Sequence, residues 1–495
     1  MTDTLIVTET VAPPPPALLP YSYARRNGVV LRAGECLHRP DVPLDAMLEV
    51  QRIHPSAVFV AVTPEAFDAA LSGIYGQGAA QAAEFEMDEM DLAALADSAA
   101  AIDDLLDTRD DSPVIKLINA LLLEAVKEGA SDVHIETTEK TLVVRFRIDG
   151  VLRDVVTPQR ALAPLLVSRI KVMAKLDIAE KRVPQDGRVT LRIGGHDVDA
   201  RVSTIPTQHG ERVVMRLLEK GSLRLDLKTL GMSGRDVDVF SRLLERPHGM
   251  LLVTGPTGSG KTTSLYAALT RLNDRKRNVM TVEDPIEYEL AGIAQTQVNP
   301  RTDMTFARGL RAILRQDPDV IMVGEIRDQE TAEVAVRSAM TGHFVLSTLH
   351  TNSAVGSITR LIDMGVERYL LAPMLVGLVA QRLVRQLCRD CARADVASEG
   401  DARMLGGGLT VGETVWRAEG CDACHGEGYR GRAGVYEVVA VDERLQAMIH
   451  NGASEAELER TARERNPALL DDGIAKVRAG VTTVEEVARV TRDDA

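Results

Sequence analysis

The stretch that decides the fold is Leu251-Leu-Val-Thr-Gly-Pro-Thr-Gly-Ser-Gly-Lys-Thr-Thr263. Its apolar first residues predict a buried strand, and apolar residues at helical spacing after Thr262 predict a helix. Between the strand and the helix the residues fit the pattern G-x-x-x-x-G-K-[ST], whose glycines turn backbone N–H groups inward around phosphate oxygens. The predicted phosphate contacts are Gly255, Pro256, Thr257, Gly258, Ser259, Gly260, Lys261, Thr262 and Thr263.

The last residues of this motif have separate tasks. Lys261 can reach the β- and γ-phosphates, and the Thr262 hydroxyl can bind Mg²⁺. A chance glycine-rich turn is the alternative, but the strand before the motif and the helix after it make that interpretation the weaker one. The stretch therefore predicts a site for a nucleoside triphosphate with magnesium.

Composition limits the class of protein. The chain has 495 residues, of which 45% are apolar and 26% charged, which is typical of a globular protein with about three or four domains. Its net charge of −14 argues against a general nucleic-acid-binding surface. The N-terminus has no basic segment leading into an apolar one, and no apolar stretch is long enough to cross a bilayer. We therefore expect a cytoplasmic protein without a transmembrane segment.

The chain before the glycine-rich motif divides into four parts. A proline-rich lead-in, Pro13 to Pro16, precedes a small mixed α/β domain that has no catalytic constellation and is predicted to dock a partner. Acidic residues dominate the segment from Glu84 to Asp111, which predicts a solvated linker. A second α/β domain follows, with hairpin turns predicted at Asp149-Gly150 and Gly194-Gly195.

The later half of this second domain is rich in arginines at strand-like positions. Surface pairing with nearby acids is the ordinary explanation for such arginines. From about residue 230 to 385, short apolar strands alternate with helices, which predicts a parallel sheet of the RecA-like kind.

Three polar constellations follow the glycine-rich motif, each at the carboxyl end of a predicted strand. They contain Glu283 with Asp284, then Glu325, then His350, while His343 precedes the third strand. Open α/β sheets place their ligands at this edge. Glu325 is predicted to orient or deprotonate the attacking water, with a structural cap as the alternative. His350 is either a sensor of the γ-phosphate or a core hydrogen-bonding group.

Four of the five cysteines form two C-x-x-C pairs, Cys388/Cys391 and Cys421/Cys424. Four thiolates suit a closed tetrahedral Zn²⁺ site that folds a segment too polar to form its own core. Free thiols are the alternative, and disulfides do not suit a reducing compartment. Cys36 stands alone and is predicted to be a small buried side chain.

These residues resemble the type II/IV secretion ATPases, which are hexameric RecA-like motors. The resemblance covers about residues 112 to 440 and includes the glycine-rich motif, Leu314 to Asp328, Thr341 to Asn352 and Ala130-Ser-Asp-Val-His-Ile-Glu136. The chain also resembles this family in having Gly324 at the position where an acidic magnesium ligand is usual. Leu19 to Arg26 and the short N-terminal domain resemble the type II secretion branch, with the pilus-extension branch as the alternative. Pilus-retraction ATPases lack the paired cysteines.

The resemblance implies roles for several residues. The domain before the motor is PAS-like and supplies arginines to the phosphates, for which Arg201 and Arg216 are the best candidates and Arg188 the third. Lys261, Glu283, Glu325 and His350 complete the catalytic set, and the four paired cysteines hold zinc. The cofactors implied are ATP, Mg²⁺ and Zn²⁺.

The residue patterns and the family resemblance together predict the domain organisation. It comprises a partner-docking domain (1–80), an acidic linker (81–111), an arginine-bearing α/β domain (112–229), a RecA-like ATPase core (230–385), a zinc subdomain (386–436) and a C-terminal helical segment (437–495).

The predicted function is ATP hydrolysis by a homohexamer that powers type II secretion through domain rotation. The resemblance implies attachment to the inner membrane through the system's L component, bound by the N-terminal domain, and its F component, bound by the motor. A nucleic-acid translocase is the rival, and the acidic composition argues against it. A nucleotide-gated scaffold with little turnover is the third possibility.

Overall fold

The computed structural model describes residues 113–219 except the turn 194–195, residues 226–491, Leu92, and parts of the N-terminal region. Those parts are residues 19, 24, 27–32, 35–40, 42–55, 57–63, 66–67 and 70. The predicted proline-rich lead-in, the Gly194-Gly195 turn and, apart from Leu92, the acidic linker lie outside the described residues.

The N-terminal region contains a three-stranded sheet. Strands β1 (Val29–Arg32) and β2 (Glu35–His38) are antiparallel, and β3 (Val58–Ala61) joins β2 in parallel after helix α1 (Leu44–Ile53). Cys36 is fully buried in the core beneath this sheet, as predicted. Burial raises the pKa of its thiol to about 11, so it remains protonated and unreactive at neutral pH.

The arginine-bearing domain is a six-stranded antiparallel sheet packed against two helices. The elements are α2 (Pro113–Lys127), β4 (Asp132–Thr137), β5 (Leu142–Ile148), β6 (Val151–Val156), α3 (Ala163–Met173), β7 (Gln185–Ile193), β8 (His196–Thr207) and β9 (Gly210–Glu219). The strands have the spatial order β6-β5-β4-β9-β8-β7. The predicted hairpin turn joins β5 to β6, where Asp149 and Gly150 have φ values of 49° and 89°.

The RecA-like domain is built on a seven-stranded sheet. Its strands are β10 (Gly249–Thr254), β11 (Val279–Glu283), β12 (Ala294–Gln297), β13 (Val320–Val323), β14 (Phe344–Leu349), β15 (Leu375–Leu387) and β18 (Tyr429–Ala440). They have the spatial order β12-β11-β13-β14-β10-β15-β18. The helices are α4 (Gly234–Leu244), α5 (Lys261–Leu272), α6 (Phe306–Ile313), α7 (Gln329–Met340), α8 (Gly356–Asp363) and α9 (Arg368–Met374).

Both faces of this sheet are buried. Met250 and Leu252 of β10 point into one core and Leu251 and Val253 into the other, as expected for a strand covered by helices on both sides. The strands are parallel except for β18, which is antiparallel to β15. The predicted parallel sheet is therefore completed by an antiparallel edge strand.

A small subdomain is inserted between β15 and β18. It contains β16 (Arg393–Val396), α10 (Glu399–Met404) and β17 (Thr414–Arg417), and we call residues 388–428 the cysteine subdomain. Its core is shared with the C-terminal helices α13 (Leu469–Arg478) and α14 (Val484–Thr491), which follow α11 (Glu443–His450) and α12 (Glu455–Arg463). Because β18 starts at Tyr429, the sheet of the RecA-like domain takes a strand from the segment predicted to be the zinc subdomain.

Candidate active site

A cavity of 530 Å³ lies at the carboxyl ends of the parallel strands, between the RecA-like domain and the arginine-bearing domain. Its volume is within the range of about 300–1,000 Å³ usual for small-molecule sites. The loop between β10 and α5 forms its floor, so we call it the P-loop cavity. All of the predicted phosphate contacts from Thr257 to Thr263 line it.

Glycine is required at two points of this loop. Gly255 has φ +148°, and a Cβ there would lie 2.4 Å from the carbonyl oxygen of Gln381. Gly260 has φ +86° and forms the N-cap of α5, whose N-terminus faces the cavity. The Ser259 hydroxyl is buried and has no hydrogen-bond partner among the described residues. A bound phosphate would satisfy both this hydroxyl and the free N–H groups at the start of the helix.

Lys261 is folded back onto the loop. Its Nζ donates hydrogen bonds to the carbonyl oxygens of Gly255 at 2.7 Å and Pro256 at 2.9 Å. Burial lowers the pKa of Lys261 to about 8, an effect that the charge of Glu325 opposes and the charge of Arg382 reinforces. A polyanion in the cavity would stabilise the charged ammonium, so nucleotide binding is coupled to the protonation of Lys261.

We expect nucleotide affinity to fall as the pH rises above about 8. Below this pH Lys261 is already charged; above it the free protein must take up a proton on binding, so the dissociation constant rises up to about tenfold per pH unit. Titrating a fluorescent nucleotide between pH 7 and 10 measures this. The variant Lys261→Arg stays charged and should lose the dependence, whereas the same slope in both proteins would contradict the assignment.

Glu325 lies just beyond the end of β13, with 14% of its side chain exposed at the cavity wall. One carboxylate oxygen accepts a hydrogen bond from Arg327 at 2.6 Å, and the other lies 3.4 Å from Nε2 of His350. The preceding residue, Gly324, packs against β11, where a Cβ would lie 3.4 Å from Cα of Glu283. A contact of 3.4 Å is an ordinary van der Waals distance, so packing by itself does not account for glycine at the position where an acidic residue was expected.

The carboxylate of Glu283 is fixed by three side-chain hydrogen bonds. Its buried carboxylate accepts hydrogen bonds from the hydroxyl groups of Tyr266 and Thr281 and from the amide of Gln295. Burial raises the pKa of Tyr266, with the Glu283 carboxylate as the second cause, so Tyr266 remains a donor. Three donors fix the position of the carboxylate at the edge of the cavity.

The two histidines are separated by the length of β14. His350 follows the carboxyl end of the strand and lines the P-loop cavity. His343 precedes the amino end, where its Nδ1 lies 2.8 Å from the carbonyl oxygen of Ser338. The geometry therefore places His350, and not His343, beside Glu325.

Two of the three predicted arginines line the cavity, and both come from the arginine-bearing domain. Arg201 on β8 donates to the carbonyl oxygen of Ile286 at 2.8 Å and forms an ion pair with Glu287 at 2.9 Å. Arg216 on β9 lines the same cavity, with Nε 2.9 Å from Asp132 of its own domain. Arg188 donates a hydrogen bond to the side-chain oxygen of Gln297 at 3.3 Å and does not line the cavity.

Sequence reasoning assigned no role to two further arginines that line this cavity. Arg327 follows Glu325 by two residues, a proximity that could have drawn attention to it. Arg432 comes from β18 and had no sequence signal of its own. With Lys261 these arginines give five cationic side chains (Arg201, Arg216, Lys261, Arg327 and Arg432) against four carboxylates (Glu283, Asp284, Glu287 and Glu325). A triphosphate with Mg²⁺ suits such a mixed lining.

The four paired cysteines converge in the cysteine subdomain. Their sulfur atoms all lie within 4.8 Å of one another, and three of the separations are 3.9 Å (Cys388–Cys421), 3.8 Å (Cys391–Cys424) and 3.7 Å (Cys421–Cys424). Tetrahedral Zn–S bonds of about 2.3 Å would place sulfurs roughly 3.8 Å apart. Burial opposes ionisation of Cys424, but hydrogen bonds from the N–H groups of Cys421 and Gly428 lower its pKa to about 7. The residues therefore fit a zinc ion.

The fold and the P-loop cavity define a RecA-like P-loop ATPase with a tetracysteine subdomain. A family profile described as "Type II/IV secretion system protein" matches residues 107–489, and a profile for an N-terminal domain of "GSPII protein E" matches residues 18–75. The chain belongs to the family of type II/IV secretion ATPases.

Close relatives extend over almost the whole chain. The "Type II secretion system protein E" of Pseudomonas aeruginosa is 57% identical, over 97% of this chain and 97% of its own length. The "Type II secretion system ATPase E" of Vibrio cholerae is 53% identical, over 96% of this chain and 97% of its own length.

Among solved structures, the pilus retraction motor PilT with bound ADP aligns with a TM-score of 0.53 at 26% identity, covering 76% of this chain and 97% of PilT. The Legionella pneumophila ATPase DotB aligns with a TM-score of 0.57 at 21% identity, covering 76% of this chain and 95% of DotB, and supports the fold alone.

Proposed function

We propose that this chain is the cytoplasmic ATPase that powers type II protein secretion, driving pseudopilus assembly and the export of folded proteins across the outer membrane. The observation that supports this most directly is a P-loop cavity whose lining comes from two domains, in a chain whose close relatives are named as type II secretion ATPases. The N-terminal match to the protein E profile favours type II secretion over pilus extension.

In the proposed reaction Glu325 orients and deprotonates the attacking water. Its carboxylate lies at the cavity wall and is positioned by Arg327 and His350. Lys261 and the loop N–H groups bind the phosphates, and Thr262 would hold Mg²⁺, which neutralises phosphoryl charge when bound. Glu283, fixed by its three donors, would orient water at the metal.

Domain movement completes the site in this proposal. Arg201 and Arg216 line the cavity, yet in this arrangement their guanidinium groups bind protein carboxylates. Phosphoryl oxygens of a bound nucleotide would attract the same groups and so favour a different position of the arginine-bearing domain. A homohexamer would convert these movements into work on the secretion machinery.

Phosphate release and light scattering of the full chain with ATP and Mg²⁺ test this proposal together. We expect turnover that depends on assembly into a six-chain particle. A monomer with the same specific activity as the assembled protein would contradict it. Tight, salt-sensitive binding of single- or double-stranded DNA in a filter assay would instead favour the nucleic-acid translocase.

Zinc in the cysteine subdomain is a further part of the proposal. We expect the purified chain to carry about one zinc ion per chain and the variants Cys391→Ser and Cys421→Ser to lose it, because a structural site needs all four thiolates. Metal analysis checks the content, and proteolysis should cut residues 388–428 in the variants. Cys36→Ala is the matched control. Zinc retained after either substitution would contradict the four-sulfur site.

The N-terminal domain is proposed to dock the L component of the inner-membrane platform, and the RecA-like domain to face its F component. No described helix is long and apolar enough to span a bilayer. Leu44 and Leu48 lie one turn apart on α1 with 71% and 62% of their surfaces exposed, which offers an apolar contact.

We expect Leu44→Asp with Leu48→Asp to weaken binding of the full chain to the cytoplasmic part of the L component by more than about tenfold, because two apolar contacts are lost. A pulldown or calorimetry measures it, with circular dichroism to confirm the fold. Asp45→Ala on the same helix should bind normally. Unchanged affinity of the double variant would place the contact elsewhere.

A further inference from the structure

The turn between β5 and β6 touches the RecA-like domain through one acidic side chain. One carboxylate oxygen of Asp149 accepts a hydrogen bond from the N–H of Gly431 at 2.7 Å, and the other lies 3.5 Å from Nε of Arg432. Both partners belong to β18, and Gly431 is 282 residues further along the chain. Asp149 therefore joins the arginine-bearing domain to two consecutive residues of another domain.

The cysteine subdomain holds the part of β18 that receives Asp149. The carbonyl oxygen of Gly428 accepts a hydrogen bond from the N–H of Cys388 at 3.0 Å, and the N–H of Gly428 donates to Sγ of Cys424 at 3.1 Å. The Arg385 guanidinium stacks 4.0 Å from the ring centre of Tyr429. These contacts fix the chain immediately before Gly431, so the tetracysteine site supports the receiving strand.

Arg432 connects this contact to the nucleotide. Its side chain lines the P-loop cavity together with the arginines of β8 and β9. The Arg432 guanidinium pairs with Asp149 and also borders the cavity that a triphosphate would fill. The carboxylate and the phosphates would therefore compete for one cation.

We propose that Asp149 is an interdomain anchor, which holds the two domains together by binding Gly431 and Arg432. Nucleotide in the P-loop cavity weakens this anchor because its phosphates draw the Arg432 guanidinium away from Asp149. Asp149 is a positioning residue and not a catalytic one. By thermodynamic reciprocity, the anchor in turn weakens nucleotide binding. The competition rests on the proposed nucleotide-binding function, whereas the anchor itself does not.

Two substitutions separate the parts of this proposal. Asp149→Gly removes the side chain and suits the left-handed turn, so hydrogen exchange of the Gly431 amide in the nucleotide-free full chain should accelerate about tenfold or more. Asp149→Asn keeps an acceptor oxygen and removes only the charge, so it should strengthen nucleotide binding about three- to tenfold with a smaller change in exchange. Asp154→Asn, on the exposed part of β6, is the matched control and should change neither quantity.

A third measurement examines the coupling directly. In a Glu325→Gln background that keeps ATP intact, saturating ATP with Mg²⁺ should accelerate exchange at Gly431. Unchanged exchange in Asp149→Gly would overturn the anchor. Weaker or unchanged nucleotide binding in Asp149→Asn, or Gly431 exchange that ATP slows or leaves unchanged, would overturn the competition. If the wild type binds no nucleotide while Asp149→Gly still accelerates exchange, the proposed function and the competition fail and the anchor stands.

Discussion

Replacing Glu325 with glutamine is expected to lower ATP turnover about 10²- to 10⁴-fold, the usual contribution of a general base. Glutamine keeps the size of the side chain and can still contact Arg327 and His350, but it cannot accept the proton of the attacking water. Nucleotide affinity should stay within about threefold, because the carboxylate lies beyond the phosphate-binding loop. Single-turnover phosphate release and equilibrium nucleotide binding separate the two quantities.

The control for this variant is Glu333→Gln on α7, which removes an equal charge away from the P-loop cavity. It should hydrolyse ATP at the wild-type rate. Basal phosphate release that is unchanged in Glu325→Gln would show that Glu325 is not the base. If both the wild-type chain and the Glu325→Gln variant bind ATP without hydrolysing it, the result would favour the nucleotide-gated scaffold.

Replacing Arg216 with alanine is expected to have an effect of similar size, about 10³-fold or more on turnover, as for other arginines that stabilise phosphoryl transfer. More than half of its side chain is exposed, so little packing is lost. The loss should appear in turnover and much less in nucleotide affinity, because the guanidinium reaches the phosphates only when the domains move. Arg216→Lys should recover only part of the activity, since lysine lacks the planar fork.

Arg147→Ala is a close control for Arg216→Ala. Arg147 lies 3.8 Å from the same buried carboxylate, Asp132, but it does not line the P-loop cavity. Both variants remove one partner of Asp132, and Arg147→Ala also removes a hydrogen bond to the carbonyl oxygen of Gly150, so thermal unfolding of both variants measures the structural cost of each. Equal losses of activity in the two variants would assign the effect of Arg216 to structure and not to catalysis.

Local and periodic features were predictable from the sequence. The strand–loop–helix around Gly255 to Thr263 is encoded within a few residues, and all three elements are present. Because the carboxyl ends of parallel strands meet at one edge, Glu283, Glu325 and His350, which lie at or just beyond the ends of three strands, could be placed in one site. The Asp149-Gly150 turn was predictable because its residue types suit positive φ values.

Features that depend on distant pairing were not predictable. No sequence signal shows that β18 returns antiparallel to β15 and carries Arg432 into the cavity, since that depends on the register of strands separated by the whole cysteine subdomain. The donors around Glu283 come from three separate elements, so its tight fixation appears only in the folded chain.

The shared core of the cysteine subdomain with α13 and α14 makes the folding of this region depend on the order of synthesis. Val384 and Val415 share a buried core with Leu469, Ile474 and Val484, which are synthesised well after the nucleotide-binding edge. The nucleotide-binding edge emerges long before them, and domains generally begin to fold as they emerge. A nascent chain can thus form its phosphate loop early, but the support for β18 waits for α13 and α14. A chain that stops near residue 465 would contain every strand of the RecA-like sheet but would lack α13 and α14, which share a buried core with β18.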